Sequence, residues 1–537
     1  VTSTQPPQAS SAIALALVVT LVVAGLVLDN VLGPVTTSPS TASEVPLLAG
    51  RATCAAVALS DASDVTATTV ALPDGDEGPG VFATLALERE GTSRALLPPD
   101  TSGRALSTPV ADADGDVSLV ARWGQVPVLL SRRWAIDSTD RVPGALEGPC
   151  PQAAAERWVV PGVTTAGGAA AQLHLANPTG EPAALAVSFT TPDGPVSPTR
   201  LANLVVPARG RTTVDLNEFA PEEPDLGVVV QTRAGQVVAE VVQTLEAAVG
   251  GVDGRSLIVA HSESSELWTV PWVAARDGES AWVWVTNAGE QPTDVRLVLH
   301  TAEGPVVPPA SGVTLAPGTT ERIDLRGALA EVGIGAVTVR SDAGVPIVAS
   351  GAVLRVAEDD PIRGGIAVVE GLTATSGPHA ALSSIGATDR GRVLALVNPA
   401  EEPAVVSIRV VGRNAGAPVV VAEALTLPAG ASLTLDIDEF LPLEGGFAVL
   451  VDVTEGVAAA TLISTSDGGP LDLTAAAARS FPASIEVGPL DVGRDRSILH
   501  PIRRVPEAVE PTDGQDPLFD DPFPDETTSD EPTTDGG

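Results

Sequence analysis

The side chains through which this chain could do chemistry are five histidines, two cysteines, a few carboxylate clusters and seven tryptophans. His174, His261, His300, His379 and His500 stand singly, with no second ligand at metal-binding spacing. His174 alternates with Leu173 and Leu175, so it is expected on the solvent side of a strand. Asp112-Ala-Asp114-Gly115-Asp116 opens like a calcium loop but lacks the bidentate Glu at the twelfth position, and reads as a solvated turn. Asp215-Leu-Asn-Glu218-Phe219 and Asp436-Ile-Asp438-Glu439-Phe440 recur at matching places. A glycosidase-type acid pair must converge across one cleft. Repetition in two copies argues instead for a structural turn anchored by its Phe. The sequence has no H-E-x-x-H, no G-x-S-x-G and no phosphate- or dinucleotide-binding glycine loop. Without any Lys, a Schiff-base mechanism is closed to it. We therefore expect no catalytic residue, no metal and no cofactor.

Cys54 and Cys150 are the only thiols and lie in no metal-binding spacing. Outside a reducing cytosol they are expected to pair. Such a bridge would close a loop of about 97 residues, worth roughly 4–5 kcal/mol in the chain-entropy picture. Trp268, Trp272, Trp282 and Trp284 cluster near the middle of the chain. Trp282 and Trp284 share one face of a strand. Exposed, they would be the best candidate for stacking against sugar; buried, they are core. Trp158-Val-Val-Pro161-Gly162 and Trp268-Thr-Val-Pro271-Trp272 would then fill joints between modules.

The elements that must position these residues repeat. Leu173-His-Leu-Ala-Asn177-Pro178, Val283-Trp-Val-Thr-Asn287-Ala and Leu394-Ala-Leu-Val-Asn398-Pro399 place their asparagines 110 and 111 residues apart. In each, the Asn side chain is expected to cap its own turn. Each copy continues through an alternating strand, a V-P-A-type block ending in Asp215, Asp324 or Asp436, and a hairpin around Gly235, Gly344 or Gly456. Gly124 marks a divergent first copy 111 residues before Gly235. Short alternating runs separated by Gly, Pro, Asn and Asp predict antiparallel sandwiches. The fold class is thus all-β: a tandem array of four immunoglobulin-like antiparallel β-sandwich modules over 51–155, 156–262, 263–375 and 376–500. No inter-sheet Cys pair and no Tyr for a tyrosine corner are present, so these are not true immunoglobulin domains.

Residues 1–11 form a short polar segment. Ala12–Leu28 are apolar, and seventeen helical residues span about 25 Å, the short end of a membrane crossing. We expect one N-terminal transmembrane helix over 12–32, retained as a signal anchor rather than cleaved, because no basic residue precedes it. A stalk linker follows over 33–50. Residues 501–537 are acidic and poor in apolar side chains, so they are expected to be a disordered region. The net charge of −38 argues against nucleic acid as a partner.

Taken together, the apolar N-terminal segment, the W-x-x-P-G openers, the N-P turns, the V-P-A…V-D-L blocks and the acidic tail resemble an actinobacterial family of membrane-anchored or secreted proteins of unknown function. The resemblance implies a cell-envelope location and assigns no functional residue. The expectation is a single-pass cell-membrane protein with its bulk extracytoplasmic, or alternatively a secreted one. It would act as a non-enzymatic scaffold or adhesion-type protein, binding an envelope protein or cell-wall polysaccharide. The alternative is an accessory subunit of an envelope enzyme, or a cryptic hydrolase with its site at a module joint.

Overall fold

Alternation of β-branched residues with small polar ones gives this chain strands and almost nothing else. The computed structural model describes residues 43–46, 50–55, 62–71, 83–89, 92–97, 105–110, 117–123, 128–136, 144–249, 252–308, 311–342, 344–356, 364–385, 391–412, 418–442, 445–466, 469–481 and 484–487. The expected helix over 12–32, the acidic tail over 501–537, His500, Gly124 and the carboxylates of Asp112–Asp116 lie outside the described residues. Among the described residues no helix is long and apolar enough to cross a membrane. Within the expected linker, Ser43–Pro46 is a strand, and Gly50 starts the first strand of the first module.

The second module shows the plan. One sheet holds Arg157–Val163, Leu226–Ala234 and Ala183–Thr191 side by side, with short edge strands Gly194–Val196 and Leu204–Val206. The other runs Arg211–Asp215, Ala169–Ala176, Val238–Val249 and Val252–Val259. All ladders are antiparallel, with Leu173 opposite Val214 on one side and Val241 on the other. Val160, Phe189 and Val228 from the first sheet meet Leu173, Leu175 and Val241 from the second in one buried core. Each such side chain contributes about 1.5–3 kcal/mol on burial.

The same order recurs over 50–149, 267–370 and 375–480. In the last copy one strand, Gly445–Ser466, serves both sheets. It passes from one to the other at Gly456, whose φ of 73° is the left-handed value also held by Gly235 and Gly344 at the corresponding hairpins. The order is not the immunoglobulin one. There the first strand joins the second, and the seventh joins the sixth. Here, with the two short edge strands of the second module counted as one, the first strand pairs with the sixth, the seventh pairs with the second, and an eighth strand is added beyond the seventh.

That eighth strand organises the whole unit of residues 44–485. The four copies, Gly144–Pro149, Val252–Val259, Gly364–Glu370 and Gly469–Ala477, meet along one axis, each beside the next and the last beside the first. The array expected from sequence therefore closes into a ring. The first sheet of each module packs on the second sheet of the following one, and the fourth module packs on the first.

Ring closure buries the strand faces that an isolated sandwich would leave wet. Between modules one and two, Arg132 and Glu240 form a fully buried ion pair at 2.7 Å, and Glu240 Oε2 accepts the Ala55 N–H at 2.7 Å. Between two and three, Trp284 lies over Gly162, and the Thr286 hydroxyl donates to the Pro161 carbonyl at 2.8 Å. Between three and four, His300 Nδ1 donates to the Gly430 carbonyl at 2.8 Å. Between four and one, the Ser383 hydroxyl donates to Glu147 Oε2 at 2.9 Å.

Candidate axial site

All four inner strands run the same way along the axis. Small voids of about 10 Å³ are lined first by Leu146, Ser256, Ile366 and Thr474, then by Pro149, Val259 and Glu370. A cavity of about 350 Å³ follows, lined by the segments that leave all four strands. The volume is at the small end for ligand pockets. Exposed Ser262 and Glu263 lie on its rim.

The floor of the cavity carries a cluster contributed by three modules. Glu370, the last residue of its inner strand, accepts a bond from the Arg479 guanidinium through Oε1. His261 Nδ1 stands 3.9 Å from the same oxygen. Both side chains are deeply buried, at 6% exposure for His261 and 8% for Glu370. Burial, aided by the positive Arg479, lowers the His261 pKa to about 3, so its ring is neutral at ordinary pH. Burial raises the Glu370 pKa, against the opposing pull of Arg479. Two polar atoms here, His261 Nε2 and Glu370 Oε2, are buried without a hydrogen-bond partner in the protein. Buried polar atoms left unpaired cost about 1–3 kcal/mol each.

The walls are aromatic. Trp158 and Trp268 line the cavity, but their indole N–H groups are already committed, to the carbonyls of Val237 and Ile347, each at 2.6 Å. The Trp268 ring meets His261 edge-on, with centroids 4.6 Å apart. In the fourth module His379 takes the place of the opening tryptophan: Trp158, Trp268 and His379 each precede their turn asparagine by 19 residues. His379 Nε2 bonds the Thr375 hydroxyl at 2.7 Å, and burial lowers its pKa while bonds to the Gly377 and Val451 carbonyls oppose this.

The residues singled out from sequence fall elsewhere or take other roles. Trp268, Trp272, Trp282 and Trp284 are all buried, at 5%, 3%, 6% and 1%. Of the two readings open from sequence, the buried one holds, and as binding candidates Trp272, Trp282 and Trp284 are corrected to core, while Trp268 is buried but also lines the cavity: Trp282 and Trp284, in T-shaped contact at 5.4 Å, plug the joint onto the second module. Trp284 Nε1 donates to Asp225 there at 2.9 Å. His174 is likewise buried, not exposed, because the first module covers that face of its sheet. Burial and the charges of Arg211 and Arg132 lower it to about 3. Cys54 and Cys150 form the disulfide. Asp215 and Asp436 each cap a short turn by accepting the N–H two residues on, at 3.0 Å. The turn asparagines are fully buried, and each donates through Nδ2 to the carbonyl four residues ahead at 2.7 Å. Among the described residues no group of His, Cys, Asp or Glu has the arrangement of a metal site.

Single-residue reasoning passed over His261, Glu370 and Arg479 because they converge only when the ring closes. A repeat alignment would have flagged two of them. His261, Leu372 and Arg479 pair with the residue just after each opener, Val159, Thr269 and Ala380, so three copies place three different chemistries at one position.

No curated protein matches this chain. Among solved structures, the Streptomyces avermitilis α-L-rhamnosidase complexed with L-rhamnose is similar over 64% of this chain and 44% of that one, at 8% identity and a TM-score of 0.13. Infectious bursal disease virus Gx strain is similar over 85% of this chain and 82% of that one, at 9% identity and a TM-score of 0.11. Likenesses this low say nothing of fold or function. Residues 121–384 and 379–485 match the family of unknown function DUF5719, and since they span well over half the chain, the protein belongs to that family.

Proposed function

We propose that this protein is a non-enzymatic binding scaffold of the cell envelope, with its ligand site in the axial cavity of the ring. The observation that carries this reading is a cavity of about 350 Å³ lined by segments of all four modules, with the buried cluster of His261, Glu370 and Arg479 from three of them in its lining. The disulfide supports an oxidising compartment, and the apolar run of residues 12–28 supports membrane attachment with the ring outside. Four fused joints and a bridged first module make a rigid frame, which lowers the ordering cost of binding.

The test is retention of the full chain on an isolated envelope fraction. Wild type should be retained, and a Ser262→Trp variant, with a bulky side chain on the rim, should not. Equal retention of the two would sink the axial reading. One observation favours the alternative of a hydrolase. His379 is oriented by backbone carbonyls and accepts a bond from the Thr375 hydroxyl, the relation of base to nucleophile. Turnover of an envelope ester or glycoside by wild type, abolished in Thr375→Val, would select it.

A further inference from the structure

Cationic side chains are scarce in this chain, 30 arginines against 68 carboxylates, yet three of them converge where modules one and two meet. Arg51 and Arg122 stand directly opposite each other on paired strands of the first module, so they share one face of that sheet. Like charges in that relation repel. Arg51 reaches across the joint and donates to the Pro178 carbonyl of the second module. One residue further on, the Thr179 carbonyl accepts the Arg209 N–H at 2.9 Å, which sets Arg209 beside Arg51. Burial lowers the pKa of Arg51 and of Arg122; Arg209 lowers both further, and Arg51 adds to the effect on Arg122.

Among the described residues only one carboxylate answers these three cations. Buried Glu88 accepts from Arg122. Arg51 has a neutral carbonyl for its partner, and the exposed Arg209 side chain has no hydrogen bond or ion pair there. Two positive charges are left over. Arg209 is also at odds with its own backbone. Its φ of 53° is left-handed, and at the corresponding places the third and fourth modules carry Gly318 and Gly430, at 69° and 65°. In those modules a Cβ would stand 2.9 Å from Pro195 and 2.8 Å from Pro305, on edge strands of the preceding module. The second module instead holds a long cation there, exposed, in a conformation that favours glycine.

We propose that Arg51, Arg122 and Arg209 form an anion site, separate from the axial cavity, that takes a doubly charged phosphate monoester group. A dianion matches the two surplus charges. A carboxylate is filled by one guanidinium fork, whereas a tetrahedral phosphate has oxygens for all three. The net charge of −38 repels an extended polyanion, so a compact group is favoured.

Isothermal titration calorimetry on the full chain tests this at constant ionic strength and about pH 7.5, where a phosphate monoester is mostly dianionic. Inorganic phosphate and glycerol 3-phosphate should both bind; the singly charged acetate and dimethyl phosphate should bind at least tenfold more weakly. Arg209→Gly should weaken phosphate at least tenfold. It also relieves the backbone conflict, so its urea midpoint should equal or exceed that of wild type, and loss of binding will not reflect loss of fold. Arg326→Gln, a change of equal charge at an exposed position in the third module, and Ser262→Trp on the axial rim should both leave phosphate binding unchanged. No binding of either phosphate, a singly charged anion bound as tightly, or wild-type affinity in Arg209→Gly would each overturn the inference. So would an equal loss in Arg326→Gln, which would mark a general charge effect, or a loss in Ser262→Trp, which would move the anion to the axial cavity.

Discussion

Replacing Gly162 by Ala should destabilise the ring by an amount that depends entirely on one neighbour in another module. A Cβ at Gly162 would stand 2.1 Å from Trp284 Cγ and 2.2 Å from Cδ2. Carbon atoms pack at about 3.5 Å or more, so the indole must retreat by about 1.4 Å. Trp284 is 1% exposed and holds Asp225 through Nε1 at 2.9 Å. Overpacking of this kind costs about 1–3 kcal/mol, and a strained hydrogen bond to a carboxylate adds about 1 kcal/mol or more. The expected loss is about 2–4 kcal/mol. Trp284→Ala alone should cost about 3–5 kcal/mol. In the Trp284→Ala background the clash is gone, so adding Gly162→Ala should cost almost nothing. Urea unfolding followed by far-UV circular dichroism would give all four corners of the cycle. Gly180→Ala is the control: a Cβ there meets nothing within 4 Å, so it should change stability by no more than about 0.5 kcal/mol. Gly162→Ala as mild as the control, or two effects that simply add, would refute the packing of module on module described above.

The remaining predictions concern the charges and the bridge. Reducing the Cys54–Cys150 bond, which spans 96 residues, should cost about 4–5 kcal/mol and visibly lower the thermal midpoint; an unchanged midpoint in reductant would contradict it. Arg132→Met leaves Glu240 charged and buried, so it should cost about 3–5 kcal/mol, whereas Arg132→Met/Glu240→Leu should recover most of that loss in the same urea assay. His174, His261, His300 and His379 all have lowered pKa values in the fold, chiefly through burial. The unfolded chain then binds protons that the folded one refuses, so their stability contribution is present above about pH 6.5 and is lost progressively as pH falls below it, down to about 3 for His174 and His261. Glu279, also lowered against the pull of its own burial by Arg276 and Arg355, acts in the same direction at lower pH. Glu370 and Glu321, both raised chiefly by burial, act in the opposite direction but are fewer than these. Calorimetric midpoints should fall between pH 7.5 and 5; a flat profile would show that the histidines titrate freely.

The sequence by itself determined the strands, their repeat, their turn chemistry and the pairing of its two cysteines, because each rests on local or periodic constraints. An Asn that caps its own turn, as Asn177 does, needs only its immediate neighbours and the returning strand of its own module. The hairpin at Gly235 needs only a left-handed φ. The divergent first module was legible because repetition survives the loss of one motif. The closing of the four modules into a ring belongs to tertiary structure alone. Period-two alternation assigns residues to two faces but is silent on what covers the second face. A solvated sheet and a joint between modules are patterned alike when the joint is built from His, Thr, Glu and Arg. That is why His174 reads as a surface residue and is core, and why the sequence leaves Trp282 and Trp284 open between surface and core. It is also why Glu370, His261 and Arg479, three residues from three modules, become one site only where the eighth strands meet on the axis.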